Sequence, residues 1–101
     1  MSTPESIKIK QARRQIFHNL DLVYPSGLFV RYLYQTVCAI DEMYDFNLFA
    51  KDIAYLRAKN YIYFIDDIVG VKSPFERKIV KLTASGKEIA EQTRADPALE
   101  I

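Results

Sequence analysis

The stretch Asn47-Leu48-Phe49-Ala50-Lys51-Asp52-Ile53-Ala54-Tyr55-Leu56-Arg57-Ala58-Lys59-Asn60-Tyr61-Ile62-Tyr63-Phe64-Ile65 changes its period partway through. Phe49, Ile53 and Leu56 recur at i, i+4 and i+7, the spacing of one helical stripe. Lys51, Asp52, Ala54, Tyr55, Ala58 and Lys59 fall off that stripe. From Tyr61 onward the residues are aromatic and β-branched, as strands prefer. Asn60 stands at the change, where a helix end takes a residue able to adopt the left-handed conformation; Gly is commonest there and Asn next. The stretch reads as helix, tight cap, strand, and predicts a helix near residues 46–59 followed by a strand over 61–66.

Downstream, Gly70 and Ser73-Pro74 signal turns and Lys78-Ile79-Val80-Lys81-Leu82 alternates loosely, which predicts a return strand over 77–82 closing an antiparallel hairpin. Burial of Phe49, Ile53, Leu56, Ile62 and Leu82 follows from this arrangement. Thr83 is placed to cap a last helix with Ile89 and Ala90 inward, Gly86 weakens its first turn, and Asp96-Pro97 ends it, leaving 95–101 as a frayed tail.

Upstream, Thr3-Pro4-Glu5 is a helix start: Thr caps, Pro suits the first position, and the acid favours the positive end of the dipole. A first helix to about Leu22 carries Ile9, Ala12, Ile16, Leu20 and Val23 on its inner stripe. Lys8, Lys10, Arg13 and Arg14 cluster near its start and read as a solvated face ahead of a binding patch. Pro25 disfavours helical geometry at Tyr24, and Ser26 can cap a second helix. That helix, Leu28 to Ile40, is apolar on most sides, as the central helix of a small domain is. Tyr32 and Tyr34 lie on different faces of it, so core and partner surface can coexist there. Asp45 caps the third helix, and a short extra strand is expected near Tyr24 or Met43.

The 101 residues, half of them hydrophobic, make one domain able to bury a core, and the 13% of Phe and Tyr exceeds what a small core needs. The net charge of +1 is unevenly spread: +3 over residues 1–20, −3 over 21–46, +3 over 47–81 and −2 over 82–101. The basic excess lies on the first helix and on the third helix with its hairpin, a modest footprint of the kind nucleic-acid binders carry. The single cysteine, Cys38, excludes an internal disulfide and reads as a buried, inert thiol. The first 20 residues show no signal peptide, and no run reaches the roughly 18 apolar residues of a membrane span. A soluble cytoplasmic protein without a membrane partner is the expectation.

Two motifs carry a resemblance. Asp52-Ile53-Ala54-Tyr55-Leu56-Arg57-Ala58-Lys59-Asn60-Tyr61-Ile62 resembles the junction between recognition helix and wing in winged helix-turn-helix proteins. Lys81-Leu82-Thr83-Ala84-Ser85-Gly86-Lys87-Glu88-Ile89-Ala90-Glu91 resembles their exit into the last helix, a pair shared with regulators of the PadR and MarR kind. With Tyr24-Pro25-Ser26-Gly27-Leu28 and Asp96-Pro97-Ala98-Leu99-Glu100, the chain looks like the small winged-helix proteins of Mu-like phages and prophages. The resemblance implies a mainly α fold with a small β-hairpin (α+β), in the order helix-helix-helix-strand-wing-strand-helix, over a single domain spanning 1–101. Two features depart from the pattern: Asn60 replaces Gly, and the long wing carries Asp66, Asp67 and Glu76, which weakens phosphate contact there.

No constellation supports catalysis, and the expectation is a non-enzyme without cofactor, metal or small-molecule substrate. His18 is the lone histidine, Asp66-Asp67 lacks further ligands, and three scattered glycines make no nucleotide cradle. Nucleic-acid recognition remains. A third helix of this kind enters the major groove, and its outward stripe here is Asn47, Lys51 and Tyr55, with Lys72 and Arg77 flanking the wing. Asn bonds adenine, Lys reaches phosphate or guanine, and Tyr bonds phosphate through its hydroxyl. Leu48 and Asp52 are placed on the same exposed side, where an acid repels phosphate. Two functions stay open: a regulator binding double-stranded DNA as a homodimer, with Ile7, Phe17, Tyr32 and Tyr34 as interface residues, or a winged-helix protein-interaction or phage assembly module that does not bind DNA.

Overall fold

The computed structural model describes residues 4–66 and 78–95, with side chains over 11–65 and 78–93. The elements run α1 (Pro4–Val23), β1 (Leu28–Phe29), α2 (Val30–Cys38), α3 (Phe46–Ala58), β2 (Ile62–Asp66), β3 (Lys78–Leu82) and α4 (Ala84–Ala95). This is the winged-helix arrangement, mainly α with a small antiparallel sheet. The wing loop and the tail from Asp96 lie outside the described residues, as do Lys72 and Arg77 and the side chains of Ile7, Lys8, Ile9 and Lys10.

The junction after α3 forms as its sequence dictates. Asn60 adopts φ 62°. Its amide donates to the Arg57 carbonyl at 2.9 Å and that of Tyr61 donates to Leu56 at 3.0 Å. Together these bonds close the helix end around a left-handed residue and satisfy carbonyls that would otherwise be orphaned. At the other end of α3, Asp45 Oδ1 accepts from the Leu48 amide at 2.9 Å, the expected cap. The chain then enters β2, which pairs with β3 in the register Ile62↔Leu82, Phe64↔Val80 and Asp66↔Lys78.

The start of the second helix differs from expectation. Leu28 and Phe29 are not helical; they form β1, which pairs antiparallel with β3 as Leu28↔Val80 and Phe29↔Ile79. The hairpin is therefore part of a three-stranded sheet of order β1-β3-β2. Ser26 is too early to cap α2, whose N-cap position is Phe29 with no side-chain cap. Gly27 permits the approach: a Cβ there would sit 2.3 Å from the Val80 carbonyl oxygen. The expected extra strand exists, a few residues beyond Tyr24.

The core gathers one stripe from each helix over one face of the sheet. Ile16, Phe17 and Leu20 of α1, Val30, Leu33 and Val37 of α2, and Phe49 and Leu56 of α3 are fully enclosed, with Ile62 and Val80 beneath them. Ile53, Leu82 and Ala90 close the cluster, and Ile89 packs on its margin. Phe17 is thus not an interface residue. It lies inside the domain with its ring 5.8 Å from that of Tyr61, on the same inward stripe as Ile16 and Leu20.

The two motifs that carried the resemblance meet in space. Thr83 Oγ1 donates to the Asn60 carbonyl at 2.7 Å and accepts from the Gly86 amide at 3.0 Å. The Thr83 amide donates to the Tyr61 carbonyl at 3.0 Å. Gly86 is not a weak point in α4: a Cβ there would lie 1.9 Å from the Tyr61 oxygen, so close packing of α4 on this junction requires a glycine.

Candidate nucleic-acid interface

The outward side of α3 is built from its helical phase. With Phe49, Ile53 and Leu56 inward, Asn47, Lys51, Ala54 and Ala58 fall opposite and are exposed. The two alanines leave the middle of this face low, so Asn47 and Lys51 stand clear at its N-terminal half. Tyr55 lies on the flank and is half-buried, and Leu48 is exposed on the same flank. Arg57 and Lys59 are exposed toward the C-terminal end.

Asp52 is not on the exposed side. It is the one buried charged residue among those described, 5% exposed, and it lies between α3, α1 and the turn ahead of α3. Its Oδ2 accepts from the Tyr44 hydroxyl at 2.7 Å, and its Oδ1 accepts from Arg13 Nε at 3.2 Å. The physical reason is its phase: residue 52 follows Phe49 by three and precedes Leu56 by four, so it belongs to the inward side. A buried carboxylate needs partners there, and α1 and the turn supply them. Burial, and then the bond to Asp52, push the Tyr44 phenol well above its ordinary range, so Tyr44 is a donor throughout the working pH range.

Arg13 links this network to the outward side. Its guanidinium carbon lies 3.8 Å from the centre of the Tyr55 ring while its Nε holds Asp52. Lys59 Nζ lies 5.6 Å from the same ring, and Arg57 stands 5.3 Å from the ring of Phe64. Tyr55 is therefore held by cation–π contacts, and the C-terminal half of α3 gathers three cations from two helices. By sequence Arg13 groups with Lys8, Lys10 and Arg14 on a solvated face, and only the structure gives it this place.

Ahead of α3, Tyr34 packs against Tyr44, Phe46 and Phe49, with ring centres 5.4–6.2 Å apart. This cluster half-covers Tyr34, while Tyr32 on the other side of α2 stays exposed. The neighbouring Cys38 side chain, and secondarily burial, raise the Tyr34 phenol above its ordinary value. Cys38 is half-buried, and His18 is exposed. Among the described residues no three metal-ligating side chains come together, and no helix is long and apolar enough to cross a membrane.

No family model and no curated protein matches this chain. Among solved structures, that of SSV1 F-93 superposes with a TM-score of 0.58 at 18% identity, covering 83% of this chain and 82% of that one. At that identity the likeness shows the fold alone.

Proposed function

We propose that this chain is a non-catalytic winged-helix protein that binds duplex DNA through α3 and acts as a transcriptional regulator of the phage or prophage kind. One observation carries the reading: Asp52, the single acid within α3, is turned inward and paired. The outward side offers Asn47 and Lys51, with Arg57 and Lys59 exposed at the C-terminal end of the helix and no carboxylate between them. The electrostatic objection that Asp52 raises on this helix is thereby removed. In this reading Asn47 and Lys51, in the N-terminal half of α3, reach base edges, and Tyr55, whose ring Arg13 covers, meets phosphate.

Lys51→Glu tests it, in a salt series on mixed-sequence duplex DNA. Affinity should fall at least tenfold, and the slope of log affinity against log salt should become shallower by about one, for one lost phosphate contact. Absence of duplex binding by the wild type, or an unchanged affinity and slope in the variant, overturns the reading.

A homodimer built on the helices belongs to the same proposal, because two symmetric copies of α3 would address major grooves about 34 Å apart. Among the described residues, α2 offers Tyr32 and α1 offers the 69%-exposed Leu22 for it. Light scattering at micromolar concentration should give about twice 11.7 kDa, and a concentration-independent monomer mass removes the dimer.

A second reading, a protein-interaction module, is favoured by the turn before α3. Met43 is 75% and Ile40 55% exposed there, beside Asp41, Glu42 and Asp45. Such a turn suits a basic protein surface better than phosphate. The fold serves either use, so the duplex measurement separates them.

A further inference from the structure

All the core side chains of the sheet point toward the helices, which leaves its opposite face to be read from the register. Leu28, Val80 and Phe64 share the inner row, and Ile62 and Leu82 the next. Alternation puts the intervening residues outside. Phe29, Ile79 and Ile65 form one row across all three strands. Tyr63 and Lys81 form the second, and Gly27 continues it on the β1 side, where its missing Cβ would lie 2.6 Å from Lys81 Cγ. Phe29 is 47%, Tyr63 42% and Ile65 36% exposed, and Ile79 and Lys81 are half-buried between them. No described helix lies on this side of the sheet.

The size of the face decides what covers it. Three strands about 4.8 Å apart, with two rows of side chains about 6.8 Å apart, make a patch roughly 10–15 Å on a side. That is on the order of 200 Å², well short of the ~800 Å² per partner of a standard protein interface, so a second copy cannot be held by this face alone. Its chemistry is that of a stacking surface: two exposed rings on opposite edge strands, about 12 Å apart along the diagonal, with a cation between and no acid among the six positions. Gly27 keeps one corner flat. Sheets that take unpaired bases use this combination of aromatic faces and a cation for the backbone, and stack two or three bases.

We propose that the outer face of this sheet binds a short single-stranded nucleic-acid segment, with bases stacked on Phe29 and Tyr63 and a phosphate at Lys81. The site is separate from α3 and does not require duplex binding to be correct. A protein containing both would hold a duplex beside an unpaired segment, such as an opened or overhanging end.

The test uses the full chain and fluorescein-labelled twelve-nucleotide single strands, one DNA and one RNA of mixed sequence, against a blunt duplex. Fluorescence anisotropy should show saturable single-strand binding. Phe29→Leu and Tyr63→Leu keep an apolar residue at each exposed position and remove the ring. Each should weaken single-strand binding roughly 5-fold to 150-fold, the range of one lost base stack at about 1–3 kcal/mol, with duplex affinity unchanged. Lys51→Glu should do the reverse. On the wild type, irradiation of a 5-iodouracil-substituted strand should place cross-links at Tyr63 or Phe29 by mass spectrometry, a result independent of how any variant folds. Lack of saturable single-strand binding, unchanged affinity in both ring variants, or cross-links confined to α3 overturns the proposal. So does a concentration-dependent self-association that Phe29→Leu abolishes, since the face would then belong to a second copy. Loss of duplex binding alone would overturn the reading of α3 and leave this one standing.

Discussion

On the side of α3 that faces the domain, Phe49, Ile53 and Leu56 are closed off from water, and the one charged group, Asp52, has a partner on each carboxylate oxygen. On the side that faces outward, Asn47 and Lys51 stand exposed ahead of the small Ala54 and Ala58. The neighbours Lys51 and Asp52 fall on opposite sides of this division. In a helix, adjacent residues differ by about 100° in direction, so a charge one position away answers to a different environment. The inward side spends its polar groups on holding α3 against α1 and the preceding turn, and the outward side keeps its polar groups available. Arg13 touches both, through the Asp52 carboxylate and the Tyr55 ring.

The largest effect expected from this contrast is at Asp52. Asp52→Ala removes the acceptor of the buried Tyr44 phenol and of Arg13 Nε. Removal of one partner from a buried charge network costs about 3–5 kcal/mol, and Arg13, which water can still reach, lowers the expectation to about 2–3 kcal/mol. Urea denaturation followed by circular dichroism measures it. A loss under about 0.5 kcal/mol, the range of surface substitutions, would mean that Asp52 behaves as an outward residue and that the two sides do not differ as described.

Much of this division was legible before any coordinates. The stripe Phe49, Ile53 and Leu56, the cap at Asp45, the left-handed Asn60, and the β2–β3 pairing to within one residue all followed from spacing and local backbone chemistry. What failed was reading Asp52 by its charge and not by its phase. Positions i, i+3, i+4 and i+7 share a side, and 49, 52, 53 and 56 are that set, so the signal for burial was present. Its partners were not readable, because Arg13 is 39 residues away and no local rule reaches it. Phe17 failed for a related reason: it adjoins Ile16 on a stripe broad enough for both. Leu28 and Phe29 look helical by composition, and only their pairing with Val80 and Ile79 makes them a strand. Taken locally Gly86 is a cost to the helix, whereas its role lies in contact with Tyr61, distant in sequence.

An intermediate effect sharpens the same contrast. Tyr44→Phe removes one donor to Asp52 but leaves Arg13, so the loss at pH 8 should be about 1–2 kcal/mol. Its pH dependence has a definite sign. The folded Tyr44 phenol is raised above its unfolded value of about 10, so the folded state holds the proton more tightly. The stability it contributes is complete below pH ~10 and is lost as pH rises above that toward the folded value. The gap between wild type and Tyr44→Phe in urea should therefore be narrower at pH 11 than at pH 8. A gap of constant width would mean that the phenol titrates alike folded and unfolded, and that it is not enclosed as the Asp52 network requires.

The smallest effect is expected on the outward side, where a charge reversal should leave stability nearly untouched. Lys51 is exposed, and no cation–π contact or ion pair ties it among the described residues. Lys51→Glu should therefore change the free energy of unfolding by less than about 0.5 kcal/mol, the usual range for a surface site free of special contacts. The sign can be argued as well. Position 51 lies in the N-terminal half of α3, where a negative charge is favoured by the helix dipole and a positive one is not, though the benefit fades beyond the first turn. The variant should be as stable as the wild type or slightly more so, while its duplex affinity falls at least tenfold. A protein that loses binding without losing stability establishes that the outward side is kept for a partner. If Lys51→Glu were instead to lower stability by 2 kcal/mol or more, on the order of the Asp52 variant, Lys51 would belong to the network that holds the helix in place, and its effect on duplex affinity could no longer be assigned to contact with phosphate.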